Sequence, residues 1–113
     1  MELERARSLL AAERARVQQL LAALDAARAD DHEAERDARY PAQPLAAQGV
    51  DDATAAGLRD RLAKLDRALQ RVDDGTYGRS LRSGVAIPDE RLEADPAAEL
   101  TVQEAAKNPA AGR

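Results

Sequence analysis

Residues 75–106 read GTYGRSLRSGVAIPDERLEADPAAELTVQEAA, and the rest of the chain is organised around them. Gly84 marks a turn, with Ser80 and Ser83 as turn residues beside it. Thr101-Val102-Gln103-Glu104 is an S/T-x-x-E capping box. The Thr101 hydroxyl would accept the Glu104 backbone N–H while the Glu104 side chain reaches back, a helix start worth about 1 kcal/mol. Tyr77, Leu81, Val85, Ile87, Leu92, Leu100 and Val102 offer a small apolar cluster. Each of these adds ~1.5–3 kcal/mol where it is well buried. The stretch predicts a compact head ending in a short helix.

Upstream, the pattern is helical. Leu3, Leu10, Val17 and Leu24 recur at seven-residue spacing, with Ala6, Leu20 and Ala27 at the second seam position. Glu13 interrupts that second seam, and Leu9 and Leu21 widen the stripe. Residues 2–29 therefore predict an amphipathic helix of coiled-coil type. The charged residues 30–39 could extend it to about residue 38, until Pro41 and Pro44 remove backbone donors and stop it. Gly49 closes the connection, which predicts an apex loop over about 38–50. Asp51 and Asp52 suit an N-cap. Ala55, Leu58, Leu62, Leu65, Leu69 and Val72 then step by threes and fours to Asp73-Asp74-Gly75, where Gly75 suits a left-handed C-cap. Asp60 and Lys64 stand one turn apart in the favourable order for an exposed pair.

Two seams on either side of one loop are buried most economically against each other. The fold class is mainly all-α: an antiparallel coiled-coil hairpin over 1–74, a small head over 75–107 and a flexible tail over 108–113. A monomer is expected; pairing of the same seams between two chains is the alternative.

Composition narrows the chemistry. The chain has 113 residues, with 34% charged and 2% aromatic, too small and too alanine-rich for a large core around an enzyme cleft. Its net charge of −4 argues against a protein that coats nucleic acid through phosphate contacts. No cysteine is present and His32 is the lone histidine, which removes thiol catalysis and thiolate metal sites. The serines have no G-x-S-x-G context. The carboxylate pairs at Asp30-Asp31, Asp51-Asp52 and Asp73-Asp74 fit a solvated tip, a helix start and a helix end better than acid–base work. No enzyme is expected. No stretch approaches the ~20 apolar residues of a membrane span, and no apolar signal core stands at the N-terminus. A soluble cytoplasmic protein without membrane contact is expected.

The head resembles that of the DksA/TraR family, small bacterial regulators that bind RNA polymerase. The resemblance rests on Gly75-Thr76-Tyr77-Gly78, the Gly84 turn, Ile87-Pro88, Arg91-Leu92-Glu93-Ala94 and Pro96-Ala97. It implies a zinc finger built from two CxxC pairs, yet the four ligand positions here are Ser80, Ser83, Thr101 and Glu104. Structural zinc typically supplies ~10 kcal/mol or more, so the capping box and the apolar cluster must replace it. The expected product is a zinc-finger-shaped head without zinc.

The resemblance further implies that the hairpin enters the polymerase secondary channel, with acidic tip residues near the catalytic magnesium and the head on the polymerase rim. Direct DNA binding is not implied. The family's tip pattern D-x-x-D-x-A falls on residues 37–42, where Asp37 and Ala42 match and Tyr40 replaces the second aspartate. Asp30, Asp31, Asp51 and Asp52 are further acids near the apex. Arg79, Arg82 and Arg91 make the head locally basic and are the expected head contacts. Alarmone-binding members often carry an arginine before the proline of RLEA-x-P. Asp95 stands there, so ppGpp is not expected as a ligand. A structural or adaptor coiled coil with no polymerase role is the alternative function.

Overall fold

The structure is a computed structural model that describes the backbone of residues 1–36 and 45–107, and the side chains of 1–29 and 52–107. Its elements are α1 (Leu3–Arg36), α2 (Leu45–Asp74), α3 (Asp89–Ala94) and α4 (Val102–Ala106). Among the described residues, β pairing is limited to one isolated antiparallel bridge between Arg79 and Ala86. The two long helices followed by a small head are the expected mainly α fold.

Helix α2 starts earlier than its sequence predicts. Asp51 and Asp52 lie inside it rather than at its N-cap, and no acid occupies its first turn. Gly49, expected to close the loop, lies within the helix. The physical reason is that Leu, Ala and Gln at 45–48 are good helix formers, and one interior glycine costs only about 1 kcal/mol against them. The C-terminal end follows expectation. Gly75 adopts φ +79°, Thr76 N–H donates to Arg71 O at 2.9 Å and Gly75 N–H to Val72 O at 3.4 Å. These two bonds form a Schellman motif that only a left-handed residue completes without strain.

The chain packs as two compact units, one of residues 14–63 and the other of 1–13 with 64–113. In the first, Val17 of α1 and Ala55 of α2 are buried, with Leu21, Leu24, Leu58 and Leu62 half-buried. Asp25 pairs with Arg59, and Arg28, further along α1, pairs with Asp52, earlier in α2. The helices in this unit are therefore antiparallel. Burial corrects part of the α1 seam: Leu20 and Ala27 are exposed, and Leu21 is half-buried instead. A straight helix of 3.6 residues per turn drifts by about 20° per heptad against a strict seven-residue repeat, which carries Leu20 off the stripe.

In the second unit, Ala6 and Leu10 of α1 are buried with Leu65, Ala68 and Val72 of α2. Arg7 pairs with Asp73 at 2.7 Å, so the start of α1 lies beside the end of α2. Leu3, placed on the seam by spacing, is exposed. Lys64 does not pair with Asp60 as predicted; its ammonium lies 3.8 Å from Asp95 of the head.

The head in the same unit has its own small core of Ile87, Leu92 and Ala98, with Met1 and Tyr77 packed against it. Only part of the predicted cluster is used. Leu100 is half-buried, while Leu81, Val85 and Val102 are exposed. Met1, Ala97 and Ala98 take their place. Alanine lets backbone approach backbone closely, so a head with few large side chains still closes. Tyr77 donates its hydroxyl proton to Pro96 O at 2.7 Å, which satisfies the polar end of a half-buried ring. Burial also raises its pKa, as desolvation disfavours the phenolate.

Candidate functional site

The four positions singled out by sequence converge in the head. Ser80 is buried, and its Oγ accepts the backbone N–H groups of Arg82 at 3.1 Å and Ser83 at 3.2 Å. Ser83 Oγ accepts from Val85 N–H at 3.3 Å. Thr101 caps α4: its Oγ1 accepts Glu104 N–H at 3.2 Å, and Glu104 Oε1 accepts Thr101 N–H at 3.0 Å. The predicted capping box is present in full.

Glu104 also does what the sequence did not reveal. Besides the Thr101 N–H, the Ser80 and Ser83 hydroxyls act on its carboxylate and favour the charged form, and together these groups pull its pKa down to about 2. Ser80 Oγ thus accepts two backbone N–H groups, both lone pairs of a hydroxyl. A single carboxylate thus links the turn at 80–83 to the start of α4, the two places where two CxxC pairs would meet at a metal. The donor set does not fit zinc. Three neutral hydroxyls and one carboxylate replace thiolates or imidazoles, and each is committed to a hydrogen bond. Among the described residues, no cluster of three or more His, Cys, Asp or Glu residues could hold a metal ion.

Ion pairs join the head to the two helix ends. Arg67 forks onto Glu99, with Nε at 2.9 Å and Nη2 at 3.2 Å from its two oxygens. Arg71 reaches the same carboxylate at 3.4 Å from a position only 11% exposed. These guanidiniums hold the Glu99 pKa below its ordinary value against the burial that would raise it. Arg71 Nε is buried without a hydrogen-bond partner. On the α1 side, Arg5 binds Glu93 of α3 through two bonds at 2.9 and 2.8 Å, and the Met1 amino group pairs with Asp89.

The predicted head contacts divide. Arg79 and Arg82 are exposed. Arg91 is half-buried and donates from Nε to Leu100 O at 3.1 Å, so it braces the head from within. Asp95 caps α3 and accepts Ala97 N–H at 3.2 Å. Of the expected tip residues, Asp37 and Ala42 lie outside the described residues, as does Tyr40. Asp30 and Asp31 fall in α1 and Asp51 in α2, with side chains outside the described set. Asp52 is exposed and paired with Arg28.

No family model matches the chain. It is 51% identical over 45 residues to general stress protein 16O of Bacillus subtilis, covering 40% of this chain and 28% of that protein. It is 40% identical over 62 residues to the RNA polymerase-binding transcription factor DksA of Caulobacter vibrioides, covering 51% of this chain and 44% of that protein. Among solved structures it superposes on DksA2 of Pseudomonas aeruginosa with a TM-score of 0.68 and 23% identity, over 98% of this chain and 85% of that one. The chain is similar to DksA over about half its length and contains no cysteine. It spans less than half the length of the curated relatives it matches. With this likeness in hand, the convergence of Ser80, Ser83, Thr101 and Glu104 is a DksA-like head closed by a carboxylate.

Proposed function

We propose that this protein binds RNA polymerase directly and regulates transcription initiation. The observation that carries the reading is the 40% identity over 62 residues to a protein named for polymerase binding, in a chain that keeps the DksA fold nearly end to end. The rebuilt head adds support, since a head with no remaining role would have no reason to keep a full replacement network at its former metal positions.

On this reading the hairpin enters the secondary channel, and apex carboxylates act near a bound cation. Opposite charges attract far more strongly where water is excluded, so one tip carboxylate outweighs many on the open surface. Asp37 is the tip acid that matches the family pattern. Asp30, Asp31, Asp51 and Asp52 are secondary, and Asp52 is already partly neutralised by Arg28. The chain acts as a monomer in the cytoplasm, contacts protein rather than DNA, performs no catalysis and needs no alarmone.

Two measurements test the proposal. Purified protein should bind core RNA polymerase and compete with a secondary-channel ligand. In transcription in vitro, Asp37→Asn should lose most of the wild-type effect while retaining binding. Equal activity of Asp37→Asn and wild type would remove the tip mechanism. No binding to core polymerase would sink the whole reading and favour a structural coiled coil with another partner.

A further inference from the structure

The turn between Arg79 and Ala86 presents side chains that the fold does not need. Leu81 and Val85 are each 56% exposed, and Val102, at the start of α4, is 57% exposed. None belongs to the head core of Ile87, Leu92 and Ala98. Isolated surface hydrophobics are ordinary, but two of these occupy one tight turn whose backbone is held on every side. Ser80 N–H donates to Val85 O at 2.8 Å, Gly84 N–H to Ser80 O at 2.9 Å and Leu81 N–H to Glu99 O at 2.8 Å. Val85 N–H is bound by Ser83 Oγ, and the N–H groups of Arg82 and Ser83 by Ser80 Oγ. Gly84 sits at φ +78°, which an L residue reaches only with strain. The turn is thus rigid before it meets anything, and a rigid surface loses little entropy on binding.

Charge singles out the same turn. Among the described residues, the head carboxylates Asp89, Glu93, Asp95, Glu99 and Glu104 are engaged with the helix ends or within the head, and Glu90 has no such bond. Arg79 gives one hydrogen bond to Gly84 O at 3.1 Å. Arg82 makes no side-chain bond or ion pair among the described residues. In a chain of net charge −4, the turn offers exposed aliphatic groups flanked by two guanidiniums that no carboxylate neutralises.

We propose that Leu81, Arg82 and Val85, with Arg79 beside them, form a docking surface for an apolar protein patch rimmed by carboxylates. The inference rests on the polymerase reading above and places that patch on RNA polymerase. A protein is favoured over nucleic acid because aliphatic side chains cannot stack on bases, and a phosphate contact would need only the arginines. Arginine is the residue suited to such an edge, pairing with carboxylates while its flat face covers apolar area.

The test measures affinity for core RNA polymerase in wild type, the double variant Leu81→Ser/Val85→Ser, Arg82→Glu, Arg82→Lys and the control Leu3→Ser, which removes an equally exposed leucine from α1. Circular dichroism and thermal melts establish that each is folded; the Arg82 side chain is exposed and makes no bond or ion pair among the described residues, so Arg82→Glu keeps the test open if the double variant unfolds. The expected result is at least about tenfold weaker binding for the double variant and for Arg82→Glu, with the charge reversal costing more at low salt than at high salt. Arg82→Lys should retain part of the affinity, and Leu3→Ser all of it. If wild type binds and the turn variants bind equally well, the docking surface is refuted and the polymerase reading stands. Equal losses in Leu3→Ser would likewise refute it, as would duplex DNA binding abolished by Arg82→Glu. Should wild type fail to bind polymerase, both readings fall together.

Discussion

Glu104 accepts the Thr101 N–H, and with the Ser80 and Ser83 hydroxyls this holds its carboxylate in the charged form, so its protonation state sets whether that arrangement holds. Its folded pKa of about 2 lies below the ordinary 4.5, so on acidification the unfolded chain takes up the proton first. The stabilisation is complete above about pH 4.5 and is lost as pH falls through about 2. Glu93 and Glu99 shift in the same direction, through their arginine partners, and add to the acid sensitivity. Urea midpoints should therefore drop across this window in wild type and drop less steeply in Glu104→Gln. An unchanged slope in the variant would remove Glu104 from the account. Thr101→Ala, which deletes the other half of the box, should cost about 1 kcal/mol at neutral pH, and a urea midpoint equal to wild type would contradict it.

At the scale of the elements, the helices carry two kinds of contact that differ in worth. Leu10 and Leu65 are fully buried, and truncating either to alanine should cost about 2–5 kcal/mol. Leu20 stands one residue from the stripe and is exposed; Leu20→Ala should stay within about 0.5 kcal/mol of wild type. Thermal or urea unfolding of these variants checks the stripe directly, and a large loss at Leu20 would restore the strict seven-residue seam. The ion pairs between helix ends and head are likewise unequal. Arg5–Glu93 is solvent-exposed, so Glu93→Gln should change stability little. Glu99 is only 17% exposed and serves both Arg67 and Arg71. Glu99→Gln should destabilise clearly more, because it strands the half-buried Arg71 charge. Denaturation of the two variants side by side should show that order.

For the whole molecule, the rebuilt head predicts folding without metal. The positions that would hold zinc in the family are saturated with internal hydrogen bonds, and their oxygen donors suit zinc poorly. Excess EDTA, or added zinc, should leave the melting temperature unchanged; a shift of several degrees, or stoichiometric zinc by elemental analysis, would overturn this. Packing also groups the molecule differently from a division into hairpin and head. Residues 1–13 of α1 and 64–74 of α2 belong with the head, because Arg5, Lys64, Arg67 and Arg71 are bound to its carboxylates.

Several features follow from sequence alone because their causes are local. The capping box needs only residues 101–104, the C-cap only a glycine after α2, and the helical stripes only a period. The capping box and the C-cap are present in the structure, and the stripes in part, with Leu3, Leu20 and Ala27 off the α1 seam. The absence of thiolates is equally a property of composition. Tertiary structure decided what depends on neighbours distant in the chain. Leu81, Val85 and Val102 have the same apolar character as Ile87 and Leu92, yet only the latter pair is buried. Asp95 and Glu99 read as surface charges until α2 brings Lys64, Arg67 and Arg71 against them. Arg91 reads as a free cation until its guanidinium meets Leu100 O. The meeting of Ser80 and Ser83 with Glu104 is of this kind too: hydroxyls and carboxylates carry no fixed spacing rule, so only the folded chain shows which of them come together.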